Sequence, residues 1–362
     1  MAFDVQTYMT EGTERVVTSI LRLSYRHPKA SAAVVKFAAA AKKAAKVRRK
    51  EEDEGLHVPS FLIASITGSC NLHCAGCYAR ASHECSDTVP VAQLSGEEWL
   101  RIFREADELG VSFILLAGGE PLLRTDVLEA AASVPNILFP VFTNGTLLGG
   151  EVLKRLDKSR NLLPVLSIEG EEKATDHRRG EGIYAVQVKN MKAMKDLGML
   201  FGVSVTVTRE NLEEAYAEDF VSMLESYGCR AVIYVEYVPV TEESKDLAPD
   251  DNDRERMNEH LSRLRETHKD TLFISFPGDE KTSGGCLAAG RGFFHISPTG
   301  AAEPCPFSPY SDTNIRDMSV REALSSPLFL KLQSGDLLKE DHAGGCVLFE
   351  RREQVEELLK AE

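Results

Sequence analysis

From Ser60 to Val240 the chain alternates short runs of β-branched and apolar residues with longer stretches of helical character, and this alternation restricts the fold more than any other feature. Six runs stand out: 61–67 (FLIASIT), 113–119 (FILLAGG), 138–145 (LFPVFTNG), 162–170 (LLPVLSIEG), 201–208 (FGVSVTVT) and 231–240 (AVIYVEYVPV). Helical stretches lie between them at 96–109, 126–133, 184–197 and 213–227. This order predicts parallel βα units. Six repeats point to an open, partial (β/α)6 barrel of the TIM type rather than a closed eight-stranded one, so the expected class is α/β.

Two flanking regions lack the alternation. Residues 1–57 read as two helices, around 13–25 and from Ala30 into the charged stretch 42–54, separated near Pro28. The second carries Lys36, Lys42, Lys43, Lys46, Arg48, Arg49 and Lys50, followed by the acidic run 51–54. Such an N-terminal helical extension is expected to pack on the scaffold or on a partner, and contact with a membrane surface through 1–57 is the alternative. After Val240 a polar, proline-containing connection leads into another helix. A cysteine-bearing α+β region follows from about Leu272, with the β-like pieces LFISF and GFFHIS and a final helix after Leu348. The expected units are 1–57, 58–245 and 246–362.

Bulk properties exclude some functions. The 362 residues are ample for a large core. A net charge of −14 repels phosphate backbones, so nucleic acid is not an expected partner. The chain has no apolar run long enough to cross a bilayer, and its first residues lack the order of a secretory signal. A cytoplasmic location is expected, where eight cysteines stay reduced. Clustered thiols then point to metal or catalysis.

Cys70, Cys74 and Cys77 lie in the loop ITGSCNLHCAGCYA directly after the first run, where barrel enzymes place working residues. Thiols so spaced let one loop wrap three corners of an iron–sulfur cube. Three thiolates and four irons leave one iron open to a small molecule. The same loop also fits structural zinc, with Cys74 and Cys77 as a CxxC pair and His73, His83 or Cys85 completing four ligands.

The CxxxCxxC spacing of Cys70, Cys74 and Cys77 after the first strand resembles the hallmark of the radical S-adenosylmethionine (SAM) superfamily, and the likeness extends over roughly residues 58–350. The resemblance implies a [4Fe-4S] cluster whose open iron is chelated by SAM, and reductive cleavage of SAM to a 5′-deoxyadenosyl radical that takes hydrogen from a substrate. It implies an electron donor of flavodoxin or ferredoxin type. Gly118, Gly119 and Glu120 before Pro121 resemble the turn that receives the SAM amino group on its backbone. Ser167, Glu169 and Asn144, at the ends of later strands, match positions that meet ribose hydroxyls. Arg179, in DHRRG (176–180), resembles the arginine that grips the methionine carboxylate in a two-pronged bond. The residue before the third cysteine is often aromatic in the family and packs near the adenine; here it is Gly76, with Tyr78 following.

Cys286, Gly300, Cys305 and Cys346 resemble the SPASM or shortened twitch domains that carry auxiliary clusters. A second [4Fe-4S] cluster is thereby implied, with Cys85, a group such as His342, or the substrate as fourth ligand. Cys229 reads as a core thiol. Enzymes with such domains modify peptides, mature other enzymes, build cofactors or alter lipids; a peptide or protein is the leading expected substrate, with a small molecule or lipid second. The reading from another class is a non-catalytic iron–sulfur or zinc protein for electron transfer or scaffolding.

Overall fold

The computed structural model describes residues 5–24, 28–88, 92–276, 284–339 and 346–360. The six apolar runs become β1 (Phe61–Thr67), β2 (Phe113–Gly118), β3 (Phe139–Thr143), β4 (Leu162–Ser167), β5 (Gly202–Val207) and β6 (Ala231–Glu236). Each is parallel to its neighbour. One more parallel strand, β7 (Leu272–Phe276), pairs with β6 from Ala231–Leu272 to Val235–Phe276. This is the LFISF piece that the sequence places in the C-terminal region. Five apolar residues carry too little pattern to assign, and the free edge of β6 decides where they go.

On the other side, β8 (His295–Ile296) runs parallel to β1, and β9 (Ala302–Glu303) is antiparallel to β8. The sheet order is β7-β6-β5-β4-β3-β2-β1-β8-β9. It is an open, partial barrel with its helices packed outside. Alternation along the strands separates the two faces: in β2, Ile114 and Leu116 are fully covered while Leu115 and Ala117 are half-exposed.

Helix starts follow from local chemistry. At Gly96–Glu108, Ser95 accepts from the Glu98 N–H and the Glu98 carboxylate accepts from the Ser95 N–H, a reciprocal cap. Trp99, Ile102, Phe103 and Ala106 then recur at helical spacing on one fully buried face. Phe103 meets Phe139 of β3 edge-on at 5.0 Å.

The two predicted N-terminal helices are α1 (Val5–Ser24) and α2 (Pro28–Asp53). Val17, Phe37 and Ala41 pack with Leu138, Phe113 and Leu163, so the pair covers the N-terminal ends of β2 to β4, opposite the cysteine loop. Arg48, fully buried, donates to the Gly110 carbonyl and to Ser112 Oγ, and burial lowers its pKa to about 10. Glu51 accepts from Arg321, and His57 joins Glu52 to the Arg291 carbonyl. The extension is thus bonded to both the barrel and the C-terminal region. Lys36, Lys42, Lys43, Lys46, Arg49 and Lys50 face solvent. Among the described residues no helix is long and apolar enough to cross a membrane.

Candidate functional site

The loop leaving β1 is bound to the turn leaving β2. The Gly119 N–H donates to the Thr67 carbonyl at 2.7 Å and the Glu120 N–H to the Ser69 carbonyl at 2.8 Å. Both glycines are obligatory: a Cβ at Gly118, whose φ is +118°, would stand 2.4 Å from Thr67 O, and one at Gly119 would stand 2.0 Å from Ser69 O. Glu120 is buried. Its carboxylate accepts from Leu122 N, Thr143 Oγ1 and Asn144 N at 2.7–3.0 Å, while burial lifts its pKa to about 7 against these bonds. The side chain therefore ties β2 to β3, its carboxylate engaged by the protein's own groups.

Cys70, Cys74 and Cys77 are half-buried in this loop. The Cys70 thiol has its pKa lowered to about 6, first by a hydrogen bond from Cys85, then by the Leu72 backbone, the Arg80 charge and Asn144. Arg80 bonds the carbonyls of Cys70 and Leu72 and pairs with Asp87 at 2.8 Å, which fixes the loop's course. Burial raises the Cys74 thiol, opposed by Arg179 and Arg178. Cys85 accompanies the first set of cysteines. His73 is exposed and paired with Asp87, and His83 is exposed at φ +60°. Among the described residues no three His, Cys, Asp or Glu side chains converge on one point as a single metal ion requires; corner ligands of a cube bind separate irons.

Other expected residues gather at the same end of the sheet. Asn144 Nδ2 lies 3.9 Å from Cys70 Sγ and donates to Asn71 Oδ1 at 2.9 Å. Gln187 Nε2 joins the carbonyls of Asn144 and Ser167, and Ser167 Oγ meets Ser204 Oγ at 3.4 Å. Glu169 is buried beneath both Arg178 and Arg179, its second oxygen accepting from Thr206 N at 2.9 Å. Arg178 is stitched to the cysteine loop, its carbonyl accepting from Ala75 N at 2.8 Å and its Nε donating to Ala75 O at 3.1 Å. Tyr78 rests its ring on Phe307, two residues past Cys305, with centroids 4.9 Å apart.

Sequence reasoning missed Tyr237, one residue past β6. Its ring packs against Gly76 and under the Arg178 guanidinium, whose carbon is 5.9 Å from the ring centroid. The available signal was an aromatic residue at a strand's C-terminal end, in VEYVPV. Ser69 Oγ, Arg179 Nε and Tyr237 Oη are buried without a hydrogen-bond partner. Thiols and unsatisfied polar groups around one loop form a donor set that fits a cluster with a polar ligand.

In the C-terminal region Cys286, Cys305 and Cys346 are buried together. The Cys305 thiol donates to Cys346, which together with burial pushes its pKa well up, and Cys286 adds to the shift. His342 lies outside the described residues. Cys229 is buried in the core, where burial raises its thiol to about 12.

Residues 64–222 match the family model described as the radical SAM superfamily. The chain is 28% identical over 311 residues to the AdoMet-dependent heme synthase of Methanosarcina barkeri, covering 78% of this chain and 87% of that protein. It is also 28% identical over 315 residues to the PqqA peptide cyclase of Granulibacter bethesdensis, covering 82% and 80%. In fold it resembles Streptococcus suis SuiB bound to the precursor peptide SuiA, with a TM-score of 0.66 at 20% identity over 81% of this chain and 71% of that one. With the CxxxCxxC loop and glycine turn joined at the sheet's C-terminal end, residues 64–222 match the radical SAM superfamily, whose shared cofactors are a [4Fe-4S] cluster and SAM, and the chain is an enzyme.

Proposed function

We propose that this enzyme abstracts hydrogen from a peptide or protein substrate, using SAM bound at a cluster held by Cys70, Cys74 and Cys77. The observation that carries the reading is the convergence of the cysteine loop, the Gly118–Gly119 turn and the Arg178–Arg179 segment on one end of the sheet. With a reduced cluster and SAM in place, the site supplies a 5′-deoxyadenosyl radical. The chain's own residues bind and orient. The backbone of the Gly118–Glu120 turn receives the amino group of SAM. Arg179, held by Glu169, meets its carboxylate. Ser167, Glu169 and Asn144 line the ribose side. Cys286, Cys305 and Cys346 hold an auxiliary [4Fe-4S] cluster, and a cytoplasmic flavodoxin- or ferredoxin-type protein delivers the electron. In domain terms, residues 1–57 brace the barrel, and the barrel proper extends through β7 before the auxiliary-cluster region.

A peptide substrate is supported by the relatives named as a PqqA peptide cyclase and as SuiB with its precursor peptide. A second reading, a small apolar substrate, is favoured by the concave face of the sheet. There Leu115, Phe142, Ile233, Val235 and Ile274 are half-exposed, and a heme synthase is among the relatives. Anaerobic reconstitution tests the core of the proposal: a brown protein with about eight irons per chain should release 5′-deoxyadenosine from SAM under reductant. A colourless, zinc-binding chain would overturn it. Deuterium transfer into 5′-deoxyadenosine from labelled peptides, but not from porphyrins or lipids, would separate the two substrate classes.

A further inference from the structure

Tyr237 is 4% exposed, yet its hydroxyl has no hydrogen-bond partner. A phenol buried in that state loses its hydrogen bonds to water and gains nothing in return; phenylalanine would fill the same space without that loss. The hydroxyl is therefore best explained by a group that arrives later.

The position of the ring narrows what that group is. The Tyr237 N–H donates to the Val207 carbonyl at 3.0 Å, which fixes the residue at the C-terminal end of β6 beside the end of β5. Its ring edge lies where a side chain at position 76 would project: a Cβ there would be 2.6 Å from Oη, 3.0 Å from Cε2 and 3.1 Å from Cζ. Gly76 lies between Cys74 and Cys77, so the phenol reaches the cysteine loop itself. Above the ring is Arg178, tied to Ala75 through two hydrogen bonds and to Glu169 at 3.2 Å. The phenol is thus clamped between the cysteine loop and the strand ends beyond it.

We propose that Tyr237 is the nucleoside-binding aromatic of this enzyme: its ring takes the place left open by Gly76, and its hydroxyl bonds a polar atom of the SAM adenine. A purine offers both an apolar face for the ring and edge atoms that donate and accept, which match a phenol whose buried hydroxyl lacks a partner. The contact comes from β6 rather than from the cysteine loop, and Gly76 is the residue that makes room for it. This inference rests on the radical SAM chemistry proposed above.

The test uses the reconstituted full chain, with two probes titrated against the reduced cluster and read by electron paramagnetic resonance. SAM contains the nucleoside; L-methionine offers the same amino and carboxylate groups without it. In Tyr237→Phe, affinity for SAM should fall roughly three- to tenfold, the worth of one buried hydrogen bond, while the methionine response and the iron content stay at wild-type levels. Tyr237→Ala should weaken SAM binding further, again sparing methionine. Unchanged SAM affinity in Tyr237→Phe would overturn the proposal, and so would a parallel loss for both probes, which would mark a merely structural residue. A brown wild-type protein whose spectrum ignored SAM would refute the parent reading and this inference together.

Discussion

Phe276, the last residue of β7, meets Phe293 edge-on with ring centroids 5.5 Å apart. Phe293 in turn stacks on Phe61 of β1 at 5.1 Å, with 23° between the rings. Among the described residues no hydrogen-bond ladder joins β7 to β1, because the sheet ends at β7 on one side and at β9 on the other. Three aromatic rings bridge the gap where a closed barrel would continue its ladder. Phe293→Ala is expected to cost about 3–5 kcal/mol, read as a lowered urea midpoint. A midpoint within experimental error of the parent would show that the seam is held by other contacts.

Loss of any one of Cys70, Cys74 or Cys77 to Ala should abolish 5′-deoxyadenosine formation. Cys305→Ala should instead lower the iron content from about eight to about four per chain and keep unproductive SAM cleavage while losing substrate turnover. Normal turnover by Cys305→Ala would remove the auxiliary cluster from the proposal.

Cys85 separates the two cysteine groups experimentally. Its thiol bonds Cys70, so Cys85→Ser should alter the spectrum of the SAM-binding cluster and leave iron content unchanged. A drop to about four irons per chain would instead make it a ligand.

Burial, followed by the charge of Glu303, raises the Glu84 carboxyl to about 7. The folded chain then holds a proton that the unfolded chain has released, so this group's contribution to stability falls as pH rises from about 4.5 to about 7. A tenfold change in proton affinity is worth about 1.4 kcal/mol, which bounds the loss at about 3 kcal/mol. Glu84→Gln should flatten that limb of the stability curve of the metal-free chain; an unchanged slope would assign it to other groups.

Gly76→Ala meets two penalties. The backbone there is left-handed, at φ +66°, which costs a residue with a side chain about 1–2 kcal/mol, and its Cβ collides with the Tyr237 phenol. The variant should reconstitute with less iron and a lower melting temperature. Adding Tyr237→Ala should restore part of the loss, because it removes the collision and leaves the backbone term. A double variant no better than Gly76→Ala would show that the collision relaxes at no cost.

The sequence by itself determined six strands, the parallel βα order and the three-cysteine loop. Each of these is a local pattern: apolar runs of strand length, helical periodicity between them, and thiols within one turn of chain. The glycine turn was legible for the same reason, since it lies directly after a run that is a strand on its own evidence. Tertiary structure decided what depends on distant partners. LFISF joins the barrel because β6 offers an edge, α1 and α2 brace the strand ends because Phe113, Leu138 and Leu163 need cover, and Cys85 belongs with Cys70 because the chain folds back through Ser86. Tyr78, next to the motif in sequence, turns to Phe307, while Tyr237, some 160 residues away, faces Gly76. Sequence spacing fixes which residues share a loop, but the order of the strands in the sheet fixes which aromatic ring reaches it.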